Sequence, residues 1–374
     1  MNVALFFTYD ISLQKWSELD ILEREIKLYN KISNDNVKYT FVTYGNYSDY
    51  EFSNNLKNIE IIPIYSHIKK HKNRLIRFLL SITIPFRIKK KLKHIDILKT
   101  NQLMGSWIPI ILKFLLRKKL IIRTGYDLFF FSIKEKKSII KVFFYFLLTQ
   151  VSLLSADKYI VTSKSDYKFL CKWFFLNKKK LMIIHNYVEE SDFFTIEKRN
   201  DLKILAVGRL EKQKNYKKII KFVGNSKFEL DIFGVGSMEK ELKEYAESKG
   251  LNNINFLGSL NHNYLLDVYK KYKFYILLSD FEGNPKTLIE AMSRGCIPIV
   301  SNTKHLTEII EDGFNGIVVS DTSEVSIERF FVSKGINKEK LNTISNNAYE
   351  YAINNFSLKN IITKELELYS SLMK

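Results

Sequence analysis

Two glutamates, Glu282 and Glu290, stand on either side of a Gly-Asn-Pro turn in the stretch LLSDFEGNPKTLIEAMSRGCIPIVSN, residues 277–302. A carboxylate pair can act as acid and base on one bond, or each member can accept hydrogen bonds from the paired hydroxyls of a sugar. The elements that carry the two residues decide between these. FYILLS reads as a strand ending at Ser279, residues 282–285 as the turn, and a helix is expected to start near Pro285 or Lys286, since Pro suits a first helical turn. The free N–H groups of Lys286, Thr287 and Leu288 then suit an anion, helped by the helix dipole. Glu282 falls on the loop before the helix. Glu290 falls one turn inside it, on a face that looks back toward the same place. Carboxylates that flank an anion site serve sugar hydroxyls better than phosphate. A nucleoside diphosphate sugar offers ribose, diphosphate and sugar in that order.

A second loop has the complementary charge. LAVGRLEKQKN places Gly208, Arg209, Lys214 and Asn215 after a strand and before a helix. Glycine permits close backbone approach, arginine offers a forked donor set and lysine a point charge, which together suit a diphosphate. The stretch is neither a Walker A loop nor a GxGxxG fingerprint. Alone it is also compatible with an ordinary turn bearing a surface arginine.

The surrounding chain repeats strand and helix throughout. NVALFFTY, YTFVTYG, IEIIPIY, IDILKTN, KLIIRTG and KYIVTS read as strands with helical stretches between them, and a first domain of this kind ends near LMIIHNYVEE. The polar stretch EESDFFTIEKRND, residues 189–201, is the best linker candidate. After it the alternation restarts with LKILAVGRL, FELDIFGVG, INFLGS, FYILLS, IPIVSN and NGIVVS. The expected architecture is α/β: two Rossmann-like, doubly wound parallel-sheet domains facing a central cleft, the first over 1–188 and the second over 200–350. Ligands of such sheets bind beyond the carboxyl ends of the strands.

Composition narrows the classes. The chain has 374 residues, 46% of them hydrophobic and 26% charged, which is globular and long enough for two cores. Its two cysteines, Cys171 and Cys296, have no metal-type spacing, so neither a disulfide frame nor a zinc site is supported and a reducing compartment fits. The N-terminus lacks the basic region of a signal peptide. VFFYFLLTQVSLLSA, residues 142–156, is too short for a membrane span and reads as a buried helix.

The formal charge of +19 is unevenly spread. Between Tyr65 and Asp96 there is no acidic residue, while Lys69, Lys70, Lys72, Arg74, Arg77, Arg87, Lys89, Lys90, Lys91 and Lys93 are interleaved with LIRFLLSITIPFRI. Such a mixture suits an anionic membrane surface; a solvated basic helix packed on its own domain is the alternative. No RNA- or DNA-binding module accompanies the patch, and nucleic acid is not an expected partner.

These motifs together resemble the retaining glycosyltransferases of family 4, the glycosyl transferases group 1, with the GT-B fold. The family's E-x7-E signature matches Glu282 and Glu290. VGRLEKQKN, DIFGVGSMEKEL, INFLGSL, EAMSRGCIPIVSN and TEIIEDGFNGIVV follow the family's order and spacing across roughly 202–320. The resemblance implies that Arg209 and Lys214 hold the donor diphosphate and stabilise the leaving group, with Gly208 allowing the approach. It implies that Glu282 holds donor-sugar hydroxyls and Glu290 the ribose. Backbone groups of Gly283, Asn284, Pro285, Lys286, Thr287 and Leu288 would contact sugar and phosphate, while Phe256 and Leu257 would line the base. No metal and no cofactor beyond the nucleotide-sugar donor are implied. With both glutamates committed to hydroxyls, front-face transfer with electrostatic stabilisation is favoured over a covalent intermediate.

The chain also departs from the family. FFTYDISLQKW lacks the glycine pair of the first loop, and LIIRTGYD stands where a His-Asp pair is usual. Arg123 or Asp127 would substitute there, near donor or acceptor, or form a structural ion pair instead. SNTKHLTEII lacks another glycine pair, and its His305 reads as a surface residue. By resemblance the C-terminal helix, about 356–374, crosses back to the first, acceptor-binding lobe. The expected function is sugar transfer to a glycan acceptor, lipid-linked, in bacterial surface polysaccharide synthesis (capsule, O-antigen or lipopolysaccharide), by a cytoplasmic protein peripheral to the inner membrane face. A nucleotide-sugar epimerase or phosphorylase of the same shape, and a non-catalytic membrane-associated scaffold, are the competing readings.

Overall fold

The computed structural model describes residues 1–33, 37–320, 327–333, 335 and 337–374. They form two units, one of Met1–His185 with Ile362–Lys374 and one of Asn186–Ile361. In the first, strands β1 (Asn2–Phe6), β2 (Lys38–Thr43), β3 (Ile59–Pro63), β4 (Ile97–Thr100), β5 (Lys119–Arg123), β6 (Lys158–Val161) and β7 (Leu181–Ile183) make one sheet in the order β3-β2-β1-β4-β5-β6-β7. In the second, β8 (Asn200–Val207), β9 (Glu229–Phe233), β10 (Ile254–Phe256), β11 (Tyr272–Leu277), β12 (Ile297–Ser301) and β13 (Ile317–Val319) make another, in the order β10-β9-β8-β11-β12-β13. The pairings are parallel throughout. The doubly wound α/β class expected from the alternation is the one observed.

The strand sequences explain the sheets. NVALF, KYTFVT and YKFYIL are runs of apolar and β-branched residues with little alternation, as needed by strands covered on both faces. Val3, Ala4 and Leu5 are fully buried, as are Ile204, Leu205 and Ala206. In each sheet the winding reverses once, between β1 and β4 and between β8 and β11, and beyond such a reversal the loops leaving adjacent strands diverge to form a crevice.

One charged residue sits inside the first sheet's core. Lys99 on β4 is fully buried, and its Nζ donates to Glu365 Oε2 at 2.5 Å and to the Tyr369 hydroxyl at 2.9 Å. Both partners lie on the C-terminal helix, Leu358–Met373. Tyr39 and Tyr369 share a further hydroxyl contact at 2.9 Å, and Arg123 Nη1 lies 3.8 Å from Glu365 Oε1. Burial alone would push the Glu365 carboxyl up, but Lys99 and then Arg123 outweigh it and hold it below the usual range. For Lys99, burial lowers the ammonium and Glu365 opposes it. The cluster docks the helix by a charge pair that is costly to break.

Two expectations are corrected. The apolar stretch 142–156 belongs to an Ile139–Ser155 helix that is not buried all round: Ile140 is 83% exposed and Phe143 58%. Apolarity alone cannot separate a core helix from an amphipathic one whose outer face is also apolar. No helix among the described residues is long and apolar enough to cross a membrane. The stretch 189–201 is not a free linker but part of the second unit's packing. Ile196 is buried, Arg199 donates to the carbonyls of Tyr272, Phe194 and Arg294, and Arg294 Nη1 donates to the Glu189 carbonyl at 3.0 Å. Arg199 is buried in these backbone bonds, while Glu190, Asp192, Glu197 and Lys198 stay exposed.

Candidate functional site

The loops after β8 and β11, the two strands at the reversal of the second sheet, carry most of the residues singled out above. After Val207 the chain turns through Gly208 at φ +148°, where a side chain would press on the Tyr216 hydroxyl, 3.3 Å from a Cβ. Gly234 follows the neighbouring strand β9, and a Cβ there would sit 1.9 Å from the Gly208 carbonyl oxygen. Only glycine lets the two strand ends cross so closely. The chain then makes a short 3₁₀ turn, Lys212–Lys214, and Asn215 in the left-handed region leads into the Tyr216–Gly224 helix.

This loop is stitched to the one after β11. The Asp280 N–H donates to the Gln213 carbonyl and Gln213 Nε2 to the Phe281 carbonyl, both at 3.0 Å; Asn215 Nδ2 reaches Asp280 Oδ1 at 2.8 Å. At the centre Lys214 Nζ donates to Glu282 Oε1 at 2.6 Å, the lysine side chain 13% exposed and the carboxylate 7%. The resemblance implies different parts of a ligand for these two, the diphosphate for Lys214 and the sugar hydroxyls for Glu282, whereas here they meet. The pair does not exhaust either group, because an ammonium has three donors and a carboxylate about four acceptor positions. Arg209 is exposed, and among the described residues its guanidinium has no ion pair or hydrogen bond. Nearby Glu211 is held below the usual carboxylate range, chiefly by the Ser237 hydroxyl at 2.7 Å and its backbone N–H at 3.3 Å.

The helix begins at Lys286, with Pro285 in the capping position rather than inside the first turn, and runs Lys286–Met292. Gly283, Pro285 and Leu288 are buried, and Thr287 accepts from the buried Tyr275 hydroxyl at 2.8 Å. Asn284 is buried at 5% exposure. Its Oδ1 takes the Asn186 N–H at 3.0 Å, which sets the orientation of the amide, and its carbonyl takes Asn186 Nδ2 at 2.7 Å. The Asn284 Nδ2 donor has no hydrogen-bond partner among the described residues. A buried amide donor without an acceptor costs about 1–3 kcal/mol.

Glu290 faces His262. The His262 Nε2 lies 3.0 Å from Glu290 Oε1, with side chains 12% and 5% exposed. His262 opens the His262–Tyr269 helix that joins β10 to β11, capped by Asn261. The nearness of the His262 ring to Glu290 was not legible in the sequence. Phe256 closes β10, and Leu257 beyond it is 47% exposed. His305 is buried, not on the surface as expected, because the Lys304–Thr307 helix turns it inward. An open concavity of about 660 Å³, bordered by Asn225, Ser226, Lys227, Asn252 and Asn253, lies at the opposite, amino ends of β9 and β10, away from these loops.

In the first unit, Arg123 ends β5, and its Nη1 reaches the Ile184 carbonyl at 3.5 Å as well as facing Glu365. Asp127 is fully buried and caps the Leu128–Lys134 helix, taking the Phe130 N–H on Oδ1 at 2.6 Å. Burial raises its carboxyl from the usual 3.8 to about 7, against the backbone donor, with Asp166 adding to the rise.

The second unit's sequence matches a known family. Residues 188–351 fit the model described as "Glycosyl transferases group 1".

The second unit is a group 1 glycosyltransferase domain.

Proteins similar to the chain include the O-antigen biosynthesis glycosyltransferase WbnH of Escherichia coli, 30% identical over 46% of the chain and 49% of WbnH. Another is an N-acetylgalactosamine-N,N'-diacetylbacillosaminyl-diphospho-undecaprenol 4-alpha-N-acetylgalactosaminyltransferase of Campylobacter jejuni, 28% identical over 47% of the chain and 51% of that protein. These two matches span about half the length of each relative. A crystal structure of Anabaena HepE in complex with UDP-glucose is similar over 99% of this chain and 100% of its own, with a TM-score of 0.71 at 16% identity. The fold of the chain is GT-B.

Proposed function

We propose that the protein transfers a sugar from a nucleoside diphosphate sugar to a lipid-linked glycan, with retention of configuration and without a metal ion, in surface polysaccharide synthesis at the cytoplasmic face of the membrane. The observation that carries the reading is the buried Asn284 amide donor, without a partner among the described residues, two positions from Glu282 of the Lys214–Glu282 pair at the sheet's reversal. Oxygen-rich ligand atoms would satisfy it. The UDP-glucose bound to HepE and the diphospho-undecaprenol in the Campylobacter relative's name support the donor and acceptor classes.

In this reading Glu282 takes hydroxyls of the donor sugar while Lys214, still bound to it, turns its other N–H groups to the diphosphate. Arg209, exposed and with no ion pair or hydrogen bond among the described residues, takes the phosphate charge. Glu290 binds the ribose, Phe256 and Leu257 border the base, and Gly208 and residues 283–288 present backbone to sugar and phosphate. The acceptor O–H attacks the anomeric carbon on the face the leaving group departs from. The bond from that carbon to phosphate oxygen breaks, and the acceptor proton passes to the departing phosphate. Cations facing the growing negative charge are the main source of rate. Arg123 and Asp127 stand at the carboxyl end of β5, in the unit assigned to the acceptor, and the basic segment 69–93 meets anionic lipid.

The test is transfer of labelled sugar from a panel of nucleotide sugars into lipid extract, with the anomeric configuration of the product read by NMR. Lipid-borne label with retained configuration, undiminished by EDTA, is expected. Absence of label in lipid with every donor, or inversion, overturns the reading. Arg209→Ala is expected to lower turnover about 10²- to 10³-fold, the cost of one lost charge-stabilising donor set.

A further inference from the structure

The Ile139–Ser155 helix carries an exposed apolar stripe that the proposed chemistry does not use. Ile140, Phe143, Leu147, Val151 and Leu154 recur at three- and four-residue steps, which is one side of a helix, and all are exposed. A second exposed apolar run lies on two short helices, with Leu75 and Leu79 on Arg74–Ser81, Ile82 at its cap and Phe86 on Ile84–Ile88. The two are neighbours in the first unit. Phe78 of the Arg74–Ser81 helix meets Phe144 with ring centroids 5.8 Å apart and Trp107 at 5.0 Å, and the Trp107 indole N–H donates to Ser81 Oγ at 2.9 Å. The inner flanks of these helices are therefore joined through the Trp107–Leu116 helix, leaving the outer flanks apolar.

The charges within the two segments have one sign. Residues 66–95 and 136–156 contain no acid, and Lys72, Arg74, Arg87, Lys90 and Lys141 are exposed among them. Not every basic residue of the first interval is available: Arg77 turns in to Asp10 at 2.8 Å. A second copy of this surface would set like charges against like, which disfavours a two-fold dimer. A bilayer with anionic headgroups instead matches the lysines with phosphates and the stripes with acyl chains.

We infer that the Ile139–Ser155 stripe, together with the 75–86 stripe, is the membrane-docking surface of the protein, an anionic bilayer being its occupant. The inference rests on the membrane reading of segment 69–93 and extends it to a helix outside that segment.

Flotation of the full chain with vesicles, without donor or acceptor, tests it. The parent is expected to float with phosphatidylcholine and phosphatidylglycerol in equal parts, and less with phosphatidylcholine alone. Ile140→Ser/Phe143→Ser/Leu147→Ser, exposed positions whose polar substitution spares the core, should lower the partition coefficient at least tenfold with an unchanged melting temperature. Lys89→Glu/Lys90→Glu/Lys91→Glu tests the basic segment separately. If the lysine variant loses flotation and the serine variant keeps it, the inference falls and the earlier reading stands. If the parent fails to float, both fall, while sugar transfer assayed in detergent stands apart. A parent that sediments as a dimer and a serine variant that sediments as a monomer, with flotation unchanged, would identify a contact between copies and overturn the inference.

Discussion

Lys214 and Glu282 hold each other at 2.6 Å, each from a loop leaving one of the two strands at the reversal of the second sheet. Both side chains are largely withdrawn from water, so the pair sets the spacing of the two loops as well as supplying charge. Lys214→Met is expected to cost about 3–5 kcal/mol in urea denaturation, as removal of one partner from a buried pair does. Glu282→Gln, which keeps an acceptor of the same shape, is expected to destabilise less while lowering turnover. A Lys214→Met chain as stable as the parent would contradict the structural half of this assignment.

His262 stands against Glu290 at 3.0 Å, and a hydrogen bond to a charged group is worth about 1.5–3 kcal/mol. If Glu290 binds ribose, His262→Phe leaves its carboxylate less well oriented. Calorimetric titration with the nucleoside diphosphate that the parent binds should then show a dissociation constant raised ten- to a hundredfold. His262→Gln, which retains an N–H donor, should restore most of the affinity. Equal affinities across the three proteins would dismiss the positioning role.

Asp127 makes stability depend on pH. Its carboxyl is raised from the usual 3.8 to about 7 by burial, with Asp166 and Tyr159 as its ionisable neighbours. The folded chain therefore keeps a proton that the unfolded chain releases in that interval. The contribution is fully present below about pH 4 and is lost as pH rises through 7, amounting to up to about 4 kcal/mol. Asp127→Asn, which caps the Leu128–Lys134 helix equally well and carries no charge, should be more stable than the parent at pH 8. The advantage should shrink toward pH 4, as urea midpoints at the two pH values would record.

Glu365 neutralises two cations and Lys99 only one anion, so their removal should not be equivalent. Lys99→Met leaves Glu365 with Arg123 at 3.8 Å, whereas Glu365→Gln leaves Lys99 and Arg123 facing a neutral amide. The glutamate variant is expected to lie near the upper end of the roughly 3–5 kcal/mol range for a broken buried pair, and the lysine variant below it. Chemical denaturation of both, with the double variant to close the cycle, gives the ordering directly.

Much of this was determined by residue order alone. Apolar runs such as NVALF and YKFYIL, separated by helical periods, leave few alternatives to two parallel sheets, because only strands covered on both faces tolerate that composition. The start of the Lys286–Met292 helix was equally legible, since Pro285 ends one backbone conformation and permits the next. What the sequence could not determine was which side chains meet across long separations. Lys99 and Glu365 are 266 positions apart and look like ordinary surface charges until the C-terminal helix lies on β4. Lys214 finds Glu282, and His262 finds Glu290, because the strand order places their loops together. The outer face of the Ile139–Ser155 helix shows the same limit in reverse: its residues are apolar enough for a core, and only the packing around Phe144 decides that one stripe faces outward.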